Sequence, residues 1–228
     1  MEEKRGAYYW IDGQPYVSVT EILKVLDKPA IVRWYGKQVY LAMLANPALN
    51  ESDALSAPYA ISDSAKARGS TVHSIIEAYK QTQEYIDGID EKYRGYAQAF
   101  YQWTKDNHVT IVEHERTVVS KKFGYAGRLD LLVQLNGSPQ LVIADCKTGK
   151  AIYPESFLQL SAYRQALSEE GVVADGIAVI LLQEDGSYQY HLCQTDYIIE
   201  FRAAKRLWEW LNSDELKQLR KYAKRRSA

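Results

Sequence analysis

Apolar residues recur along this chain at two spacings, and the switches between them mark out its elements. A three-to-four spacing predicts a helix from Pro29 to about Asn46, with Ile31, Trp34, Tyr35, Val39 and Met43 as its inward stripe. The same spacing predicts a helix from Ser62 to about Gln83 over Val72, Ile75, Ile76 and Tyr79, and an aromatic one from Asp90 to about Asn107 over Tyr96, Phe100 and Trp103. Two more follow, from about Glu155 to Glu169 and from about Asp196 onward, the last turning Ile199, Leu207, Trp208 and Leu211 inward. Alternating or short apolar runs predict strands at 109–120, 129–135, 141–147, 176–183 and 188–193.

The residues between these runs say how the chain turns. Asp12-Gly13 closes a hairpin within Tyr8 to Val17, and Ser18-Val-Thr-Glu21 has the form of a capping box opening a short helix. Pro29 suits the first turn of a helix. Asn46 to Pro58, rich in Ala, Ser, Asn and Pro, is expected to be a flexible loop beside the substrate entrance. Asn136-Gly-Ser-Pro139 is a hairpin turn, and Glu184-Asp-Gly-Ser187 another. The resulting order is helix, three strands, helix, strand, so the expected fold is mixed α/β.

Composition narrows the class. At 228 residues, 46% hydrophobic and 25% charged, the chain is long enough for one substantial core. Residues 1–60 read as an N-terminal hairpin and helical elaboration of the same domain, and 61–228 as its core. No apolar run approaches the roughly 20 residues of a membrane span, and Met1-Glu-Glu-Lys-Arg5 lacks the apolar stretch of a signal peptide, so a cytoplasmic protein with no membrane partner is expected. Only Cys146 and Cys193 are present, too few for a disulfide framework or a four-cysteine iron-sulfur cluster within the chain. The net charge of -1 hides an asymmetry: residues 217–228 carry six cations and no acid, which leaves -7 for the rest. Such a tail either steers a nucleic-acid backbone or complements a helix C-terminus and keeps it solvated.

The candidate chemistry sits where the strand at 141–147 ends. Alternation puts Asp145 and Lys147 on one face and turns the Cys146 side chain to the other, leaving only its backbone at the site. With a four-residue loop, antiparallel partners sum to 275 and Asp130 lies opposite Asp145. With a two-residue Asn-Gly loop, Asp130 lies opposite Ile143, still on the face of Asp145. Two carboxylates at the end of apolar strands are costly unless something pairs them. A divalent cation held by both and by the Cys146 carbonyl answers that cost, and oxygen donors favour Mg²⁺ or Mn²⁺. Lys147 is then placed to hold or deprotonate a water and to offset charge on a phosphate. On the helix upstream, His73 and Glu77 neighbour one another at i, i+4, with His73 a candidate ligand and Glu77 its possible support. Downstream, Gln159 and Tyr163 share one helical stripe. In the strand at 109–120, Glu113 and Glu115 are expected on a common face.

Together these residues resemble the PD-(D/E)XK nuclease superfamily, in its RecB-like and Cas4-like branch. Gly127-Arg-Leu-Asp130 is similar to the family's Gly-x-x-Asp, Ala144-Asp-Cys-Lys-Thr148 to its apolar-Asp-x-Lys-Thr core, Gln159-Leu-Ser-Ala-Tyr163 to its Gln-x-x-x-Tyr helix, and Arg68 to His73 to its His motif. In order and spacing, residues 16 to 212 resemble the mitochondrial genome maintenance exonucleases. The resemblance implies a restriction-endonuclease-like αβββαβ core with extra N-terminal helices and a C-terminal helix. It implies phosphodiester hydrolysis with Asp130, Asp145 and Lys147 as catalytic residues and His73, Asp130, Asp145 and the Cys146 carbonyl as metal ligands. Gln159, Tyr163 and Thr148 would position substrate, with Gln159 orienting Lys147 or a water and Tyr163 binding a phosphate or stacking on a base. The implied partner is DNA, single-stranded or with free ends, in recombination, repair or replication. A structure-specific or CRISPR-associated endonuclease and a non-catalytic nucleic-acid-binding module are the competing readings, and the oligomeric state is open.

Overall fold

The computed structural model describes residues 2–80 and 82–218 and arranges them around one eight-stranded sheet. The strands are β1 (Glu2–Arg5), β2 (Tyr8–Ile11), β3 (Gln14–Ser18), β4 (Thr110–Ser120), β5 (Tyr125–Gln134), β6 (Leu141–Lys147), β7 (Gly176–Leu182) and β8 (Tyr188–Cys193). The helices are α1 (Val19–Ile22), α2 (Pro29–Ala45), α3 (Glu51–Glu77), α4 (Gln83–Asp87), α5 (Glu91–Asp106), α6 (Pro154–Glu169) and α7 (Ile198–Leu211). From α5 to β7 the order is helix, three strands, helix, strand, as the spacing of apolar residues predicts. The sheet is mostly antiparallel, with β6 parallel to β7 and β3 parallel to β5. No helix among the described residues is long and apolar enough to cross a membrane.

Alternation along the central strands gives the sheet two apolar faces. Leu132, Ile143 and Val179 face α6 and α7 and pack with Leu160, Tyr163, Leu167 and Phe201, and Leu129 joins them because alternation in β5 slips between Leu129 and Leu131. Leu131, Val133, Val142, Ala144, Cys146 and Ile180 face the other way, against Val72 and Ile76 of α3 and Tyr96, Phe100 and Trp103 of α5. A β6 residue on the parity of Ile143 therefore points towards α6, which is where Asp145 and Lys147 lie. Cys146 is buried on the opposite face.

The hairpin between β5 and β6 combines features of both expected loops. Asn136 and Gly137 have φ of 53° and 71°, and the Ser138 N–H donates to the Leu135 carbonyl, closing a tight Asn-Gly turn. Pro139 has no N–H to give to a ladder, and pairing resumes only at Gln134–Leu141, so the partners sum to 275.

The helices depart from expectation in four places. The expected loop Asn46 to Pro58 is confined to 46–50: Asn50 accepts from the Asp53 N–H, and α3 runs from Glu51 through Pro58 to Glu77. Pro58 gives up its own amide bond and crowds the Ala54 carbonyl, and set against this are the burial of Ala54 and Pro58 and the helix-forming Ala54, Ala57 and Ala60 around it. Glu77, not Gln83, ends that helix, and Gln83 opens the separate short α4. Helix α2 forms where expected but buries none of its residues, because it packs on α3, with Tyr35 against Tyr59, and not on the sheet; Ile31 and Met43 are exposed. In α7 the buried stripe is Phe201, Ala204 and Trp208, and this leaves Ile199 and Leu207 outside. Of the basic tail only Lys217 falls within the described residues; Arg220, Lys221, Lys224, Arg225 and Arg226 lie outside them.

Candidate active site

Strand β5 has its full length paired to β4 on one edge. On its other edge it pairs with β3 at Tyr125–Ala126 and with β6 at Leu131–Gln134. The four residues between, Gly127 to Asp130, form the floor of a fork, and the expected Gly-x-x-Asp motif occupies it. The β5–β6 ladder stops at Leu131–Ala144, one pair short of Asp130 and Asp145. In place of a further backbone pair, the Cys146 N–H donates to Asp130 Oδ2 at 2.9 Å. Because the N–H and C=O of a strand residue point the same way, the Cys146 carbonyl also faces Asp130.

Gly127 explains why Tyr163 fits here. A Cβ on Gly127 would lie 2.2 Å from Tyr163 Cε1, so only glycine lets the buried ring lie against the strand. The Tyr163 hydroxyl accepts from Gln159 Nε2 at 3.0 Å, and the same nitrogen donates to Asp145 Oδ1 at 3.3 Å. Gln159 thus orients Asp145, not Lys147. Tyr163 is 3% exposed, so its ring has no face to offer a base and the stacking role expected for it does not fit the fold. Its hydroxyl is pushed far above the usual phenol range by burial and by the charges of Asp145 and Asp130.

Asp145 is 1% exposed, and Lys147 Nζ lies 2.6 Å from its Oδ2. This ammonium is the one partner of that buried oxygen among the described residues, and its charge compensates the carboxylate. Burial pulls the Lys147 ammonium towards neutrality, but Asp145 and Asp130 together overcome this and raise its pKa. Asp130 has the opposite problem: burial first, then the Asp145 charge, pushes its carboxyl up to about 7. The pair repels, as like charges across a desolvated strand pair must.

His73 and a residue not among the main candidates complete the constellation. Glu115 stands opposite Asp130 in the β4–β5 register, and its φ of 50° breaks strand alternation, which separates it from Glu113. Glu113 instead pairs with Arg116, which also reaches Glu170 at the C-cap of α6. Glu115 pairs with Arg128 at 2.7 Å and lies 3.8 Å from His73 Nδ1, which is itself 3.5 Å from Asp130 Oδ2. The neighbouring Glu115 carboxylate, against the effect of burial, raises the His73 pKa, and the imidazole in turn lowers that of Glu115. One ligand atom each from His73, Glu115 and Asp130 lies within 4.8 Å of the others. Two carboxylates and one imidazole converging this closely, with the Asp145 carboxylate beside them, fit a divalent cation.

The remaining candidates line the same cleft, about 1100 Å³ in volume. Glu77 is exposed there and has no bond to His73 among the described residues; the carboxylate beside that imidazole is Glu115. Thr148 Oγ1 lies 3.7 Å from where a Cβ on Gly69 would be, so the end of β6 lies beside α3 at ordinary contact distance. Glu115 was within reach of sequence reasoning as the residue before Arg116, but a positive φ in a strand leaves no mark in the hydrophobic pattern.

A family model described as the PD-(D/E)XK nuclease superfamily matches residues 81–227, more than half of the chain. The match takes in Glu115, Asp130, Asp145, Lys147, Gln159 and Tyr163 and leaves out His73. Among solved structures, the chain is similar to SSO0001 at 16% identity, covering 87% of this chain and 77% of that one, with a TM-score of 0.39. It is also similar to an alkaline exonuclease from Laribacter hongkongensis at 13% identity, covering 68% of this chain and 91% of that one, with a TM-score of 0.38. No curated protein matches it.

Proposed function

The chain belongs to the PD-(D/E)XK nuclease superfamily, and from that membership we propose that it is a metal-dependent DNA exonuclease of the RecB-like, Cas4-like branch. The observation that carries the reading is the meeting of Asp130, Asp145 and Lys147 at the β5–β6 fork, with His73 and Glu115 converging on Asp130. Asp130, His73, Glu115 and the Cys146 carbonyl would hold a divalent cation, Mg²⁺ or Mn²⁺, and Asp145 would join them by exchanging part of its contact with Lys147. The cation supplies Lewis-acid stabilisation of phosphate charge and acidifies water.

The chain's own residues supply the rest. Lys147 keeps its proton beside two carboxylates, so it acts as a cationic donor to a water or a phosphoryl oxygen and not as a base. His73 would hold the cation as the neutral imidazole. Gln159, braced by Tyr163, fixes the Asp145 carboxylate. Thr148 and Gly69 border the route to the fork. Cys146 is not placed as a covalent nucleophile, since it is buried on the other face and burial drives its thiol pKa up. The preference for single strands or free ends is taken from the sequence resemblance. The test is an end-labelled linear single strand beside a closed single-stranded circle, each with Mn²⁺. Mononucleotides from the linear strand alone are expected; a cut circle would make the protein an endonuclease, and binding without products would end the nuclease reading.

A further inference from the structure

Away from the fork, a second groove of about 590 Å³ lies between the β4–β5 turn and α7, lined by Phe123, Ile199, Arg202, Ala203, Arg206 and the Lys205–Glu209 pair. Ile199, Arg202 and Arg206 follow one another at three and four residues, so they share one face of α7. The Arg202 guanidinium lies over the Phe123 ring at 4.4 Å, and Lys122 Nζ approaches the same ring at 5.2 Å. Lys205 is occupied by Glu209. Among the described residues, Arg202, Arg206, Lys121 and Lys122 have no carboxylate in ion-pair range, although the Glu169 carboxylate binds the Lys122 backbone N–H. Like charges at i, i+4 on a helix destabilise it, so Arg202 and Arg206 cost the free protein something that an anion in the groove would return.

We propose that this groove is a second contact for the phosphodiester backbone of the nucleic acid whose end is cut at the fork. The inference rests on the nuclease reading of the fork. Arg202, Arg206 and Lys122 gathered around Phe123, with one guanidinium already held over the ring, suit a repeating phosphate chain better than a single small anion. Five steps of extended strand lead from Tyr125 to Asp130, so that end of β5 is roughly 17 Å from Asp130 at ~3.3 Å per residue. At ~3.4 Å per nucleotide along a strand, about five nucleotides span that distance. Substrates shorter than this reach the fork alone, and longer ones engage both places.

The experiment uses the whole protein and single-stranded DNA of 4 and 20 nucleotides. For Arg202→Ala/Arg206→Ala we expect kcat with Mn²⁺ to be unchanged and KM for the 4-mer to be unchanged. KM for the 20-mer should rise about tenfold, and the slope of log affinity against log salt, read by anisotropy of the 20-mer in chelator, should become shallower by about 0.7 per lost contact. Arg202→Lys/Arg206→Lys should keep most of the 20-mer affinity. Equal KM and equal salt slope for wild type and the alanine variant would overturn the proposal, as would a parallel loss on both lengths. If the wild type neither cuts nor binds either DNA, the nuclease reading of the fork fails, which is a different result from a wild type that cuts both lengths and a variant that matches it.

Discussion

At the scale of single residues, the fork is a charge problem with a partial internal solution. Asp145 is almost wholly buried and is compensated in the metal-free protein by Lys147. The ammonium therefore has two duties: it neutralises a buried carboxylate and stands ready to donate in the reaction. Lys147→Ala should reveal both. With saturating Mn²⁺, kcat should fall by about 10²–10³, the usual effect of losing one electrostatic donor in a transition state, while the affinity for DNA in chelator changes little. The same variant should also melt lower in chelator, because removing one partner strands a buried charge; the loss is on the order of 3 kcal/mol, at the lower end for such pairs because part of the Lys side chain stays exposed. Mn²⁺ should recover part of that loss by sharing the Asp145 charge. Single-turnover rates and paired melting curves check it, and a Lys147→Ala protein that turns over like wild type removes Lys147 from the mechanism.

At the scale of elements, the site depends on how β5, β6 and α6 meet. Gly127 and Tyr163 are far apart in sequence but in contact in the fold, and the contact sets the height of α6 over the fork. Gly127→Ala forces the Tyr163 ring away and takes Gln159 off Asp145 with it. We expect a loss of ~1–3 kcal/mol, as for other overpacked cores, together with a fall in kcat that is larger than any change in KM. Denaturant unfolding and steady-state kinetics measure both, and a variant as stable as wild type would mean that the ring is not seated on β5. Much of this was legible from the sequence. The apolar runs and the Asn136-Gly turn fixed the parity that brings Asp130 to Asp145, and Ser18 does cap α1 as its motif suggests. The parts that were not legible have physical causes. Pro58 carries the cost of a helix breaker, yet it is buried with Ala54 in α3, and that tertiary packing leaves no mark on the proline itself. The α2 stripe follows helical spacing, yet spacing says nothing about which surface covers it. Glu115 reaches the site through a positive φ, a backbone choice that side-chain pattern does not encode.

At the scale of the whole molecule, the fork holds the metal-free protein below the stability its core could give, and pH exposes this. The Asp130 carboxyl, at about 7 when folded against an ordinary 3.8, binds its proton more tightly in the native state. Its contribution to stability is therefore fully present below about pH 4 and is lost as pH rises through 7, an effect on the order of a few kcal/mol. His73, also raised, acts in the same sense: its contribution is present below its ordinary 6.5 and is lost as pH rises through its higher folded value. In chelator, the wild type should melt progressively lower as pH is raised from 5 to 8. A cation reverses the sign, because it favours the ionised Asp130 and the neutral His73, so the gain in Tm from millimolar Mn²⁺ should grow over the same range. Asp130→Asn cannot ionise. In chelator at pH 8 it should melt at or above wild type, with a flatter pH profile, and it should gain less from Mn²⁺ and have lost its activity. Melting curves at pH 5, 6.5 and 8 with chelator and with Mn²⁺ decide the point. If Asp130→Asn is clearly destabilised at pH 8 in chelator and gains as much from Mn²⁺ as the wild type, the two aspartates do not face a common cation.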